Sequence, residues 1–145
     1  MSTEHLFVYG TLRRGSRHRM QRLLEQNAEF VDRATFAGKL YLVARYPGAV
    51  ASKDADDRVV GDVFALGRGR RDPSALLRQL DRYEGFTPGD TQALFIRERG
   101  AVTLSSGAEL DAWIYLYNGP TAGMRRIVSG DFFGATHRMR DTRER

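Results

Sequence analysis

The sequence predicts an α+β fold: several short β segments with two helices set between them, the sheet curling into a small barrel. Three observations lead there. Five segments carry β-branched and aromatic residues with apolar positions on one parity. Two segments carry apolar residues at helical spacing instead. No repeat, low-complexity tract or Pro/Ser-rich linker separates them, and 145 residues suit one domain with one sizeable core.

The first strand is HLFVY at 5–9. In SRHRMQRLLEQNAEF, Met20, Leu23 and Leu24 stand at i, i+3 and i+4, which predicts a short amphipathic helix over 17–27. Between 29 and 43, Phe30, Ala34, Phe36, Leu40 and Leu42 share a parity, so a long or bent strand is expected, with Gly38 as a candidate bulge. ARYPGAVASKDADD reads as a loop with a proline turn, and VVGDVFAL at 59–66 as the next strand. The stretch DPSALLRQLDRYEG, 72–85, is the clearest helix. Asp72 suits its N-cap, Pro73 its first turn, and Gly85 a left-handed stop. Strands follow near 91–99 and 109–118, joined by the polar turn LSSGAE. The expected organisation is a single domain over 1–137 and a frayed basic tail over 138–145.

Composition narrows the function. The chain has no cysteine, so disulfides and thiolate chemistry are excluded. No apolar run approaches the roughly 20 residues of a membrane span, and MSTEHLFVYG lacks the pattern of a secretory signal. A cytoplasmic location and no membrane partner are the expectation. The net charge is +5, and all but Lys39 and Lys53 of the 23 basic residues are arginine. Arginines cluster at 13–22 and 138–145. Acids are interleaved over most of the chain and no aromatic stacking pattern accompanies the clusters, so nucleic acid is not the expected partner.

Two places can do chemistry. Leu77, Leu80 and Glu84 fall at i, i+3 and i+7, so a carboxylate ends the apolar face of the 73–84 helix. Apolar surroundings and the negative end of the helix dipole both raise the pKa of an acid placed there. A glutamate tuned in this way can take and return a proton near pH 7. The same spacing also fits a solvated residue at a frayed helix end. The second place is FVYGTLRRG, 7–15, where a strand ends in Gly-Thr ahead of paired arginines. Such a loop can present consecutive N–H groups to an anion, or be an ordinary βα turn. Gly10 permits close backbone approach, and Arg13 and Arg14 read first as plain solvated charges and second as a source of positive potential at the rim. The loop matches neither a P-loop nor a dinucleotide fingerprint.

Other constellations are weak. His5, His18 and His137 lie far apart without zinc-type spacing, and no G-x-S-x-G occurs. Asp54, Asp56 and Asp57 lack a calcium-loop pattern and read as a solvated loop. No metal or cofactor is therefore expected. Trp113, Tyr115 and Tyr117 share one strand face; Tyr117, at the strand end before Asn118-Gly119, is the candidate to reach a ligand.

Taken together, FVYGTLRRG, YPGAV (46–50), VVGDVFAL, LLRQLDRYEGF (76–86), AWIYLYNG (112–119) and SGDFF (129–133) resemble the gamma-glutamylcyclotransferase-like family, in the family's order and over most of the chain. The style is that of the short bacterial branch and the gamma-glutamylamine cyclotransferases, which share Y-G-T-L. The resemblance implies a small mixed β-barrel with peripheral helices and a pocket at the barrel mouth. It implies that Tyr9, Gly10, Thr11 and Leu12 hold a gamma-glutamyl group largely through backbone N–H donors, and that Glu84 is the general acid/base. The implied reaction releases 5-oxoproline and an amine, with no cofactor. The competing expectation is a non-catalytic small-metabolite-binding module on the same fold, since function resides in the site rather than the fold.

Overall fold

The computed structural model describes residues 4–16, 18–67 and 72–133. Strand β1 (His5–Val8) leads to helix α1 (Arg19–Asn27), which passes directly into the long β2 (Ala28–Leu42). Strands β3 (Pro47–Ala51) and β4 (Arg58–Leu66) precede α2 (Pro73–Glu84). Strands β5 (Phe95–Leu104) and β6 (Glu109–Tyr117) and the two-residue β7 (Arg125–Arg126) follow.

The strands close into a barrel of mixed sense. β1 pairs antiparallel with β4, β4 with β2, and β2 with β3. Two parallel contacts of β6, Ala49 opposite Leu116 on β3 and Leu6 opposite Trp113 on β1, complete a ring of five strands. β5 lies antiparallel to β6 and reaches β2 at Ala34–Phe36. The small mixed barrel with two short helices is the fold expected from the sequence.

Strand alternation divides the core in two. Phe7 and Tyr9 of the first strand segment, Val59 and Val63 of β4, and Ala112 and Ile114 of β6 fill the barrel interior. Their neighbours Leu6, Val8, Phe64, Tyr115 and Tyr117 face outward, where Leu24 of α1 and Leu76, Leu77 and Leu80 of α2 cover them. The aromatic face of β6 therefore lies under the helices. No helix among the described residues is long and apolar enough to cross a membrane.

The helices follow their sequence signals closely. α2 begins at Pro73 and ends on Gly85, which adopts the left-handed conformation (φ 74°) and donates its N–H back to Arg82 O at 3.2 Å. Asp72 occupies the N-cap position, but its side chain makes no capping bond. α1 starts at Arg19, where His18 caps it by accepting from the Met20 N–H at 3.1 Å.

The strands hold the departures. Pro47–Ala51, read as loop, is β3; it forms by pairing with β2 and carries no apolar alternation of its own. β5 runs from Phe95 to Leu104, later than 91–99. The irregularity in β2 falls between Phe30 and Asp32, while Gly38 stays in register with Ala51. Asp57 is buried rather than solvated: it accepts from Ser52 Oγ at 2.6 Å and from Arg126 at 2.7 Å. The tail from Arg138 lies outside the described residues.

Candidate active site

β1 runs out at Val8, and the chain then makes a tight turn in which the Arg13 N–H donates to Gly10 O at 3.0 Å. The N–H groups of Gly10, Thr11 and Leu12 meet no acceptor among the described residues. Three successive N–H groups without an acceptor in one tight turn, here called the nest, are an arrangement that can receive an anion. The φ of Gly10 is not positive, and a Cβ there would lie 2.9 Å from Pro47 Cγ, so glycine also lets β3 close against the loop.

Tyr9 serves this loop through its ring. Its hydroxyl donates to Tyr115 O on β6 and accepts from the Ala49 N–H on β3 at 3.1 Å. Burial drives the phenol's pKa up, and the charge of Glu84 adds to the rise, so Tyr9 stays a neutral pin between strands.

Arg13 does not contribute to a positive rim, which corrects that expectation for this residue. Arg13 is buried, donates to Asp131 Oδ1 at 2.7 Å, lies 3.9 Å from Asp62 and rests 4.5 Å above the Phe133 ring. Arg14 stacks over Phe30 at 4.5 Å, and its backbone N–H donates to Asp62 Oδ2 at 2.7 Å. SGDFF thus returns at the end of the domain to fasten the nest from behind.

Across from the nest stands the end of α2. Leu77 and Leu80 are buried, and Glu84, one turn on, turns into a cavity rather than into the core or open water. It has no hydrogen-bond or ion-pair partner among the described residues. Its pKa is raised from 4.5 to about 7, first by burial and then by the negative charge of Asp81. That aspartate is itself fully engaged: Arg97 grips it with two bonds, Nε to Oδ1 at 2.8 Å and Nη2 to Oδ2 at 3.1 Å, and the Tyr115 hydroxyl donates to Oδ1 at 2.7 Å. Arg97 in turn stacks over Trp113 at 4.4 Å.

The cavity between these elements has a volume of about 310 Å³, at the small-ligand end of the usual range. Residues 7–12 form one wall, with Tyr83 and Glu84 opposite. Tyr46 and Pro47 from the start of β3, Leu94 and Phe95 from the start of β5, and Tyr115 complete it. At the rim, the Tyr83 hydroxyl lies 3.1 Å from Thr11 Oγ1 and 3.2 Å from His18 Nε2.

Of the residues singled out from sequence, Tyr9, Gly10, Thr11, Leu12 and Glu84 share this cavity. Tyr117 does not line it. Its ring packs on Phe95 and its hydroxyl lies 3.4 Å from Pro120 O, which corrects its assignment as a ligand contact. Tyr115, two residues earlier on the same face, is the β6 residue that lines the cavity. Alternation identifies the shared face but not the depth along it. Tyr46 and Pro47 carried a signal in YPGAV, though it named no role.

A barrel of this topology, with an unpaired acid and an open N–H loop about one cavity, defines a class of small-molecule site. Residues 6–133 match the family model of gamma-glutamyl cyclotransferases, AIG2-like, and the chain belongs to that family. A putative gamma-glutamylcyclotransferase of Methanocaldococcus jannaschii is 26% identical over 129 residues, 89% of this chain and 95% of its own. The gamma-L-glutamyl-butirosin B gamma-glutamyl cyclotransferase of Niallia circulans is 32% identical over 116 residues, 79% of this chain and 67% of its own. Among solved structures, YkqA of Bacillus subtilis superposes with a TM-score of 0.70 at 21% identity, covering 97% of this chain and 43% of that longer one. That structure supports the fold.

Proposed function

We propose that this protein is a cyclotransferase that converts a gamma-glutamyl amide into 5-oxoproline and a free amine, with Glu84 as general acid/base. One observation carries the reading: an unpaired carboxyl with a pKa near 7 shares a cavity with three open backbone donors. Family membership supports the reaction class.

The substrate brings its own nucleophile. Near pH 7 a substantial fraction of Glu84 is ionised and can accept a proton from the substrate α-ammonium. The freed α-amine attacks the γ-carbonyl carbon, forming the ring C–N bond as the carbonyl π electrons move to oxygen. Collapse of that intermediate breaks the bond to the departing nitrogen, and protonated Glu84 returns its proton there. The ring nitrogen then gives up the second proton of the former ammonium to the regenerated Glu84 carboxylate, which passes it to the released amine or to solvent, so the lactam leaves neutral and Glu84 returns to its starting charge. Because attack is intramolecular, the protein's main task is to hold a folded substrate conformer, which needs no nucleophilic side chain. The Gly10–Leu12 donors suit either the substrate α-carboxylate or the developing oxyanion.

The test is incubation with a panel of gamma-glutamyl amides and quantitation of 5-oxoproline. Turnover of at least one member, abolished in Glu84→Gln, is the expected result. Binding of 5-oxoproline without turnover of any member would replace the enzyme reading with that of a binding module.

A further inference from the structure

The residues that line the cavity are mostly apolar and include no cation. Five large hydrophobic side chains remain exposed in the described chain. Three of them, Tyr46 (39%), Tyr83 (38%) and Leu94 (45%), belong to this one cavity. Exposed apolar groups gathered at one opening mark a surface that a ligand covers. Glu84 is the only charged side chain among the lining residues. Arg13 is paired with Asp131 and lies 3.9 Å from Asp62, and Arg97 is paired with Asp81. The polar groups of the rim are hydroxyls already bonded to one another, Thr11 to Tyr83, with His18 behind.

We infer, resting on the cyclotransferase reading, that the departing group is an uncharged apolar amine, arylalkyl or branched alkyl, rather than an amino acid or peptide that ends in a carboxylate. The glutamyl end of the substrate has its partners: an ammonium for Glu84 and an anion for the N–H nest. What remains of the ligand lies against Tyr46, Pro47, Tyr83, Leu94 and Phe95. An aromatic or alkyl substituent buries its surface there. A second carboxylate in that position loses water, meets no cation among the lining residues, and shares the cavity with Glu84, whose negative charge repels it. The site thus selects by what it lacks as well as by what it contacts.

The test compares gamma-glutamyl-phenethylamide with gamma-glutamyl-glutamate and gamma-glutamyl-cysteinylglycine. Two readouts are used: kcat/KM on the wild-type protein, and calorimetric affinity on Glu84→Gln, which reports binding without turnover. The phenethylamide is expected to lead on both by on the order of 30-fold. Leu94→Arg is expected to narrow that lead to roughly threefold by giving the carboxylate a partner. If affinities are equal or favour the anionic amides, the inference is overturned, whether or not turnover occurs. If nothing is turned over but the phenethylamide still binds best, the reaction assignment falls and the apolar-amine site stands. If none of the three binds, the cavity holds no gamma-glutamyl amide and both fall.

Discussion

Asp81 and Glu84 stand three residues apart on the last turn of α2, and their surroundings are opposite. Asp81 is 3% exposed and saturated by Arg97 and Tyr115. Glu84 faces a cavity with no partner among the described residues. The paired acid accepts two hydrogen bonds from the Arg97 guanidinium and one from Tyr115, which fasten α2 to the barrel. The unpaired acid keeps a pKa close to neutrality, and its paired neighbour contributes to that by repulsion. In the proposed reaction, structure and chemistry are divided between two carboxylates on one helix. The ion pair raises the Glu84 pKa and makes no bond to that carboxyl.

Substitution at each position should separate the two roles. Glu84→Gln is expected to lower kcat/KM by roughly a thousandfold, the scale of general acid/base catalysis, measured as 5-oxoproline release. The fold should also become more stable at high pH. Native Glu84 holds its proton up to about pH 7, whereas an unfolded glutamate releases it near 4.5. Wild-type stability therefore falls as pH rises across that window, by on the order of 2–3 kcal/mol, and a glutamine removes the loss. A Gln variant that is inactive and melts higher at pH 8 fits; equal activity removes Glu84 from the mechanism.

Asp81→Asn leaves the part-buried Arg97 without a counter-charge and is expected to cost about 3 kcal/mol of stability, read by urea denaturation. A loss below about 1 kcal/mol would show the pair to be incidental. Asp131→Asn acts at a greater distance, on the clamp that fixes the nest through Arg13. KM should rise about tenfold, corresponding to one lost charge-assisted bond, with kcat nearly unchanged. A fall in kcat alone would place Arg13 and Asp131 in the chemistry instead. The smallest effect belongs to Tyr117→Phe. Its hydroxyl makes only a long contact with Pro120 O outside the cavity, so kcat/KM should change by less than about twofold.

What the sequence reveals of these regions follows from how local the signals are. The helix over 73–84 is announced by Pro73, an apolar face and Gly85, all within its own span, and Glu84 lies on that face by arithmetic alone. The parity of β2 is equally local. β3 is not: Pro47-Gly48-Ala49 reads as a turn, and only pairing with β2 and β6 makes it a strand. The Asp81–Arg97 pair spans a loop and two elements, so neither residue could be told from a surface charge. The choice of Tyr115 over Tyr117 depends on where α2 ends above β6, which no periodicity encodes. Arg13 looked like a solvated cation because its partners, Asp62 and Asp131, lie 49 and 118 residues away in sequence.

The division of labour on α2 is tested most directly by titrating Glu84 itself. The side-chain carboxyl 13C shift of the free protein should move with a midpoint near pH 7, and kcat/KM for a gamma-glutamyl amide should rise with pH through the same midpoint as the base form appears. A midpoint near 4.5, with an activity profile flat across neutrality, would contradict the assignment of Glu84 as the proton carrier.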